Sequence, residues 1–253
     1  MQSEKAFVVI GACGLIGRSI THRLLEAGHA VAALDIDETS LSKLAADAGQ
    51  RRFLGTKVDA SDKSSIQQAL NAADAQFGPL DGAVNCTYPR GRNYGRHLLE
   101  IEHEDFTNNV SLHLGAYFLF MQQCAVYAKR SGSGFSLVNL SSVYGSIAPR
   151  FEIYEGTSMT MPAEYAAIKA GLQHLSRYVA AYMKGTRFRV NCVAPGGILD
   201  RQPESFLSKY KQHCTDKGML DPGDVLGAVM FLLSEESRYV NGQVLTVDDG
   251  FTL

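Results

Sequence analysis

At 253 residues, 45% of them hydrophobic and 20% charged, the chain can bury one large core and is short for two full domains. Its 24 Lys and Arg against 26 Asp and Glu leave a net charge of -2, so no basic surplus exists to neutralise a run of phosphates and nucleic-acid binding has no electrostatic support. A small, mildly charged or neutral ligand fits this balance, and residues 1–253 are expected to form a single domain.

Short β-rich apolar runs occur at residues 6–10, 30–34, 53–58, 80–84, 135–140, 188–193 and 243–247. The first is reached without the charged and apolar leader of a secreted chain, and no apolar stretch approaches the roughly 18 residues of a membrane span, so a cytosolic protein is expected. The spacers between runs suit helices crossing over a parallel sheet rather than hairpins. The first spacer is the clearest helix, with Ile16, Ile20, Leu24 and Ala27 at helical spacing and Gly28 placed to end it. This rhythm predicts a doubly wound α/β domain, a Rossmann fold with seven parallel strands. Residues 149–162 (PRFEIYEGTSMTMP) break it, and read as a long ordered loop of the kind that often carries function. Cys13, Cys86, Cys124, Cys192 and Cys214 form no C-x-x-C pair and have no histidine at zinc-ligand spacing, so they read as reduced thiols, with no disulfide framework and no metal site.

Gly11-Ala12-Cys13-Gly14-Leu15-Ile16-Gly17 lies between the first strand and the first helix, where missing side chains let backbone N–H groups approach a pyrophosphate. A plain tight turn is the alternative. Asp35 follows the second strand, 24 residues after Gly11, where a carboxylate accepts hydrogen bonds from an adenosine ribose and repels a 2′-phosphate, which favours NAD over NADP. Asp59, after the third strand, can accept from the adenine amino group or cap the helix beginning near Asp62. Asn85, after the fourth, can bridge backbone groups beside the cofactor or simply end a strand.

Tyr165-Ala166-Ala167-Ile168-Lys169 puts a phenol and an ammonium on one face of a helix that begins near Pro162. A phenol titrates near pH 10, and a neighbouring ammonium lowers that value, which makes Tyr165 a usable base. Ser141 and Ser142 close the fifth strand; one hydroxyl can steady a substrate oxygen during hydride transfer, and the other is expected to be a turn serine. After the sixth strand, Pro195-Gly196-Gly197-Ile198 makes a rigid, side-chain-poor turn that can face a nicotinamide carboxamide.

With these features in one order along one chain, the sequence resembles the short-chain dehydrogenase/reductase family over its whole length. The resemblance implies that Tyr165 is the general acid/base, that Lys169 lowers its pKa and holds the nicotinamide ribose, and that Ser142 orients the substrate oxygen. It implies cofactor contacts from Gly11, Cys13, Gly14, Leu15, Ile16, Gly17, Asp35, Ile36, Asp59, Ala60, Asn85, Cys86, Tyr165, Lys169, Pro195, Gly196 and Ile198. A terminal strand ending in Val247-Asp248-Asp249-Gly250 further implies a homo-oligomer, tetramer or dimer. Residues 154–165, Gln202-Pro203-Glu204 and the last six residues look like oxidoreductases of bacterial flagellin-modification and surface-glycan gene sets, which implies a sugar or sugar-derived alcohol as substrate.

Four departures from the family pattern stand out. The glycine spacing is that of its epimerase and dehydratase branch, which keeps open an epimerase or dehydratase with retained NAD; a dinucleotide-binding protein without chemistry is the other alternative. Cys86-Thr87-Tyr88 follows Asn85 where Asn-Ala-Gly is usual, and Asp200 stands where a threonine often contacts the carboxamide. His113 occupies the place of a proton-relaying asparagine, with Asn109 one helical turn before it, and can relay protons itself or be a core histidine. Finally, 23 residues separate Ser142 from Tyr165, more than usual, which makes Arg150, Glu152, Tyr154 and Glu155 of the intervening loop candidates for selecting the substrate.

Overall fold

The run Ala6-Phe7-Val8-Val9-Ile10 is buried at every position, as a strand must be when helices cover both faces of its sheet. A computed structural model, describing residues 4–49 and 51–253, builds seven strands, of which the central ones are buried and the two at the edges, Phe53–Lys57 and Val244–Val247, are partly exposed. In chain order they and their helices are β1 (Ala6–Ile10), α1 (Leu15–Glu26), β2 (Ala30–Asp35), α2 (Glu38–Ala48), β3 (Phe53–Lys57), α3 (Lys63–Phe77), β4 (Gly82–Asn85), α4 (His103–Ser131), β5 (Phe135–Leu140), α5 (Ala163–Tyr182), β6 (Phe188–Pro195), α6 (Glu204–Lys211), α7 (Leu226–Leu233) and β7 (Val244–Val247). The strands lie in the order β3-β2-β1-β4-β5-β6-β7, every neighbouring pair parallel, so the doubly wound sheet expected from the rhythm is the observed one. The fourth strand begins at Gly82 instead of residue 80, because the Leu80 N–H is taken by the Tyr127 hydroxyl at 2.8 Å and has no strand partner.

Alternation along β1 sends Ala6, Val8 and Ile10 into a core shared with α3, α4 and α5, and Phe7 and Val9 into one shared with α1, α2 and α7. A third core lies beyond the C-terminal edge of the sheet, where Val143, Tyr144, Ile153, Tyr154, Phe206, Tyr210, Met219 and Phe251 pack together. Residues 149–162 belong to it: they contain a 3-10 turn, Phe151–Tyr154, whose Ile153 and Tyr154 are buried against α6 and the C-terminal tail.

Strand order reverses between β1 and β4, which opens a crevice at the carboxyl ends of those strands. Next to it, β4 and β5 approach closely at a glycine. A Cβ on Gly82 would stand 2.3 Å from the carbonyl oxygen of Ser136 on β5, so Gly82→Ala forces backbone apart in the middle of the sheet. We expect it to lower stability by about 3 kcal/mol, read as a lower urea midpoint at unchanged slope.

Candidate active site

A cavity of about 1100 Å³ runs along the carboxyl edge of the sheet, from the Gly-rich turn after β1 to the segment 158–162 and the turn after β6. Every catalytic and cofactor-binding residue expected from sequence lies on its wall except Asn85 and His113, which are completely buried.

Backbone decides whether a dinucleotide fits the first half. Gly11 has φ +75, and a Cβ there would be 2.8 Å from the carbonyl of Cys86; a Cβ on Gly17 would be 2.1 Å from the Gly11 oxygen. The turn is therefore closed by bare backbone contacts, and Gly14 caps α1 with no side-chain hydrogen bond and no acidic residue in the first turn, leaving N–H groups for an anion. These residues fit a pyrophosphate. Asp35 ends β2 with Oδ2 accepting from the Cys13 N–H at 2.8 Å and Oδ1 from the Asp37 N–H at 3.1 Å, so it also holds the turn in shape. Ile36 is exposed beside it on the cavity wall, as is Leu15. Burial and the neighbouring Asp35 push the Cys13 thiol up to about 12, which leaves it an unreactive thiol. The alternative of Asp59 as helix cap fails: Asp62 caps α3 through Ser64, whereas Asp59 turns back on the Ser61 N–H and hydroxyl at 2.8 and 2.6 Å. Asn85 points its oxygen at the Thr87 N–H and hydroxyl, at 3.0 and 2.7 Å, and keeps a buried amide nitrogen without a partner.

In the second half, α5 is drawn against the end of β5. The Gln173 amide donates to the Ser141 hydroxyl and the Ser142 carbonyl, each at 3.1 Å, and the Ser141 hydroxyl donates to the Lys169 carbonyl at 3.4 Å. Ser141 is thus the structural serine of the pair. The Ser142 hydroxyl accepts from the Tyr144 N–H at 3.2 Å and stands beside the Tyr165 phenol, which feels it as a stabilising neighbour. Lys169 is buried, its Nζ donating to the Leu140 carbonyl at 2.8 Å and to the Tyr117 hydroxyl at 3.5 Å, and it stands 5.5 Å from the centre of the Tyr165 ring.

The electrostatics correct one expectation. Desolvation pushes the Tyr165 phenol above its ordinary value, with the neighbouring Ser142 hydroxyl pulling the other way, so the lysine does not make the phenol acidic in this arrangement. Lys169 spends its ammonium on Leu140 and Tyr117, and burial pulls it down to about 8.

His113 is enclosed by Tyr88, edge to face at 5.1 Å, and Tyr117, stacked at 5.6 Å. Neither ring nitrogen has a hydrogen-bond partner, and burial brings its pKa down to about 3, so the structure leaves it a neutral core histidine. Of the four loop candidates only Tyr154 reaches the cavity. Arg150 stacks on Phe251 and donates to the Phe251 carbonyl at 3.4 Å; Glu152 faces His213 at 3.7 Å; the Glu155 carbonyl accepts from Lys209 at 2.8 Å. They tie the loop to the tail and α6. In their place Ser158, Met159, Thr160, Met161 and Pro162 line the wall. Sequence reading missed Tyr117 and Gln173, each four residues beyond a residue it had noted, His113 and Lys169, and so on the same helical face. Among the described residues, no group of three or more metal-ligating side chains comes together and no helix is long and apolar enough to cross a membrane.

A family model described as Enoyl-(Acyl carrier protein) reductase matches residues 11–252. Post-translational flagellin modification protein A of Campylobacter coli is 39% identical over 257 residues, covering 100% of both chains. The 7alpha-hydroxysteroid dehydrogenase of Bacteroides fragilis is 28% identical and covers 99% of this chain and 95% of its own. A crystal structure of a short chain dehydrogenase from Leptospira borgpetersenii, with bound NAD+, superposes with a TM-score of 0.85 at 28% identity, covering 99% of this chain and 94% of that one.

The lysine supplies a direct test of the electrostatics. Its folded pKa of about 8 lies below the unfolded 10.5, so between those values the unfolded chain binds more protons and the cost of burying the charge is relieved as pH rises. We expect Lys169→Met, without nucleotide, to be more stable than wild type near neutral pH by on the order of 2 kcal/mol. The difference should shrink as pH climbs from about 8 toward 10.5, followed by urea unfolding of both proteins.

Proposed function

The chain belongs to the short-chain dehydrogenase/reductase family, oxidoreductases acting on CH–OH groups, and from that premise we propose that it is NAD(H)-dependent and interconverts a secondary alcohol and a ketone on a sugar or sugar-derived substrate. The observation that carries the chemistry is that Ser142 and Tyr165 stand together on the wall of a cavity that also holds the Gly-rich turn. The full-length likeness to a flagellin modification protein supports the sugar. We read residues 1–253 as one nucleotide-binding domain, cytoplasmic and assembled as a homo-oligomer, tetramer or dimer.

Bound NAD supplies the hydride acceptor. In our reading Gly11, Gly14 and Gly17 with the first turn of α1 hold its pyrophosphate, and Asp35 accepts from the adenosine ribose through lone pairs its two backbone contacts leave free. A 2′-phosphate would meet the carboxylates of Asp35 and Asp37, which supports NAD over NADP. At the other end Tyr165 takes the proton from the alcohol oxygen as the hydride leaves carbon, while the Ser142 hydroxyl donates to that oxygen and holds it in place. In the same reading Lys169, 5.5 Å from the Tyr165 ring, holds the nicotinamide ribose, and the polarity it then brings to Tyr165 opposes the desolvation that raises the phenol. Reduction runs the same steps backwards.

Tyr165→Phe is expected to lower turnover by about 10²–10⁴-fold while NADH binding persists; retention of substantial turnover on a confirmed substrate overturns the mechanism. Because only the phenolate is a base and the phenol is held high, the oxidation rate should climb with pH through the neutral range. NADH released in step with turnover separates this activity from an epimerase with retained NAD. In thermal shift NAD should stabilise more than NADP, and Asp35→Ala should narrow that gap; greater stabilisation by NADP in the wild type would remove the role given to Asp35.

A further inference from the structure

The segment between β4 and α4, Tyr88-Pro89-Arg90-Gly91-Arg92-Asn93-Tyr94-Gly95-Arg96, carries three arginines and no acidic residue, in a chain of net charge -2. It is fastened to the helices behind it. The Gly91 N–H donates to Asn109 Oδ1 at 2.7 Å, Asn93 donates to Asp105 at 2.9 Å, and Arg96 pairs with Asp105 at 3.2 Å. The buried Glu164 carboxylate accepts from the Gly95 N–H and the Asn109 amide, both at 3.5 Å.

The three arginines differ in what they do. Arg96 is paired, and Arg92 does not reach the cavity. Arg90 lies on the cavity wall with its guanidinium 5.0 Å from the centre of the Tyr88 ring. That ring meets Tyr165 edge to face at 5.8 Å, and its hydroxyl is held by Tyr94 at 2.7 Å. The aromatic stack thus keeps Arg90 beside the reacting tyrosine. A second cation, Arg201, reaches the same cavity from the turn after β6, on backbone with φ 62 that side-chain-bearing residues seldom adopt. Among the described residues, carboxylates pair with Arg52 and Arg96, but none lies within ion-pair distance of Arg90 or Arg201.

Charge along the cavity is therefore sorted. Asp35, Asp37 and Asp59 sit at the ends of β2 and β3, in the nucleotide half, whereas Arg90 and Arg201 sit in the half that holds Tyr165, where Asp200 is the one carboxylate on the wall. A guanidinium without a carboxylate partner, held over an aromatic ring, presents a planar fork of donors to a carboxylate or phosphate. We propose that the substrate carries such an anionic group, seated on Arg90 with Arg201 as the second cation. The enzyme then selects an acidic or phosphorylated sugar over its neutral counterpart. This rests on the reading of the cavity as a site for NAD and a sugar-derived alcohol, and it adds the substrate's charge.

The test uses the full chain. NADH binding is first followed by the fluorescence of the nucleotide. The NADH complex is then titrated with matched sets of glucose, glucose 6-phosphate and glucuronate, and of the corresponding galactose compounds. An anionic member of at least one set should bind about tenfold or more tighter than its neutral partner, with a preference that weakens as salt is added. Whether the phosphate or the uronate is preferred identifies the anion. Arg90→Gln should reduce the anionic-to-neutral ratio by about tenfold, Arg90→Lys should restore part of it, and NADH binding reports that both variants are folded. Equal affinity for neutral and anionic sugars, an unchanged ratio in Arg90→Gln, or no binding of any anionic sugar to a protein that binds NADH overturns the proposal alone. Failure to bind NADH overturns the underlying reading and the proposal with it.

Discussion

The site depends on how closely α5 lies against the end of β5. Gly145 makes that approach possible, since a Cβ there would stand 2.7 Å from the carbonyl carbon and oxygen of Lys169. Ser141 and Gln173 then hold the two elements together through buried hydrogen bonds that span some thirty residues of sequence. Each such bond is worth about 1 kcal/mol net, but leaving one buried partner unsatisfied costs more, so the register of helix on strand is tightly set. Ser142, Tyr165 and Lys169 inherit their relative positions from it. A shift of one residue along α5 would turn both Tyr165 and Lys169 about 100° away from the cavity.

The burial that this packing imposes has an electrostatic consequence. It raises the Tyr165 phenol and lowers the Lys169 ammonium, so both groups are held away from their charged forms. A proton carrier whose charged form is disfavoured in the resting protein responds to whatever polarity a ligand introduces. The two halves of the cavity differ in the same respect. The half at the Gly-rich turn is shaped by backbone and bordered by Asp35, Asp37 and Asp59, while the Tyr165 half is walled by aromatic rings and arginines.

Much of the architecture was legible in the sequence. Seven apolar runs separated by helical spacers suffice for a parallel sheet, because such strands are buried on both faces and read as continuous hydrophobic stretches. Strand ends followed less well, since Leu80 looks like the strand it precedes until Tyr127, 47 residues away, takes its N–H. The loop at 149–162 was visible as an interruption but not as part of a third core, whose members lie as far apart in the chain as Val143 and Phe251.

Within the site, residue types and spacing determined which side chains meet locally: the Gly-rich turn between β1 and α1, and Tyr165 with Lys169 on one helical face. Tertiary packing decided what those side chains do next. It assigned Ser141 to structure and left Ser142 facing Tyr165, sealed His113 between two tyrosines, and turned Arg150, Glu152 and Glu155 toward the tail and α6. It also set Arg90 on Tyr88 beside the cavity. The reason is that periodicity reports a direction relative to a residue's own helix or strand, whereas burial and hydrogen-bond partners depend on distant segments whose approach only the folded chain defines.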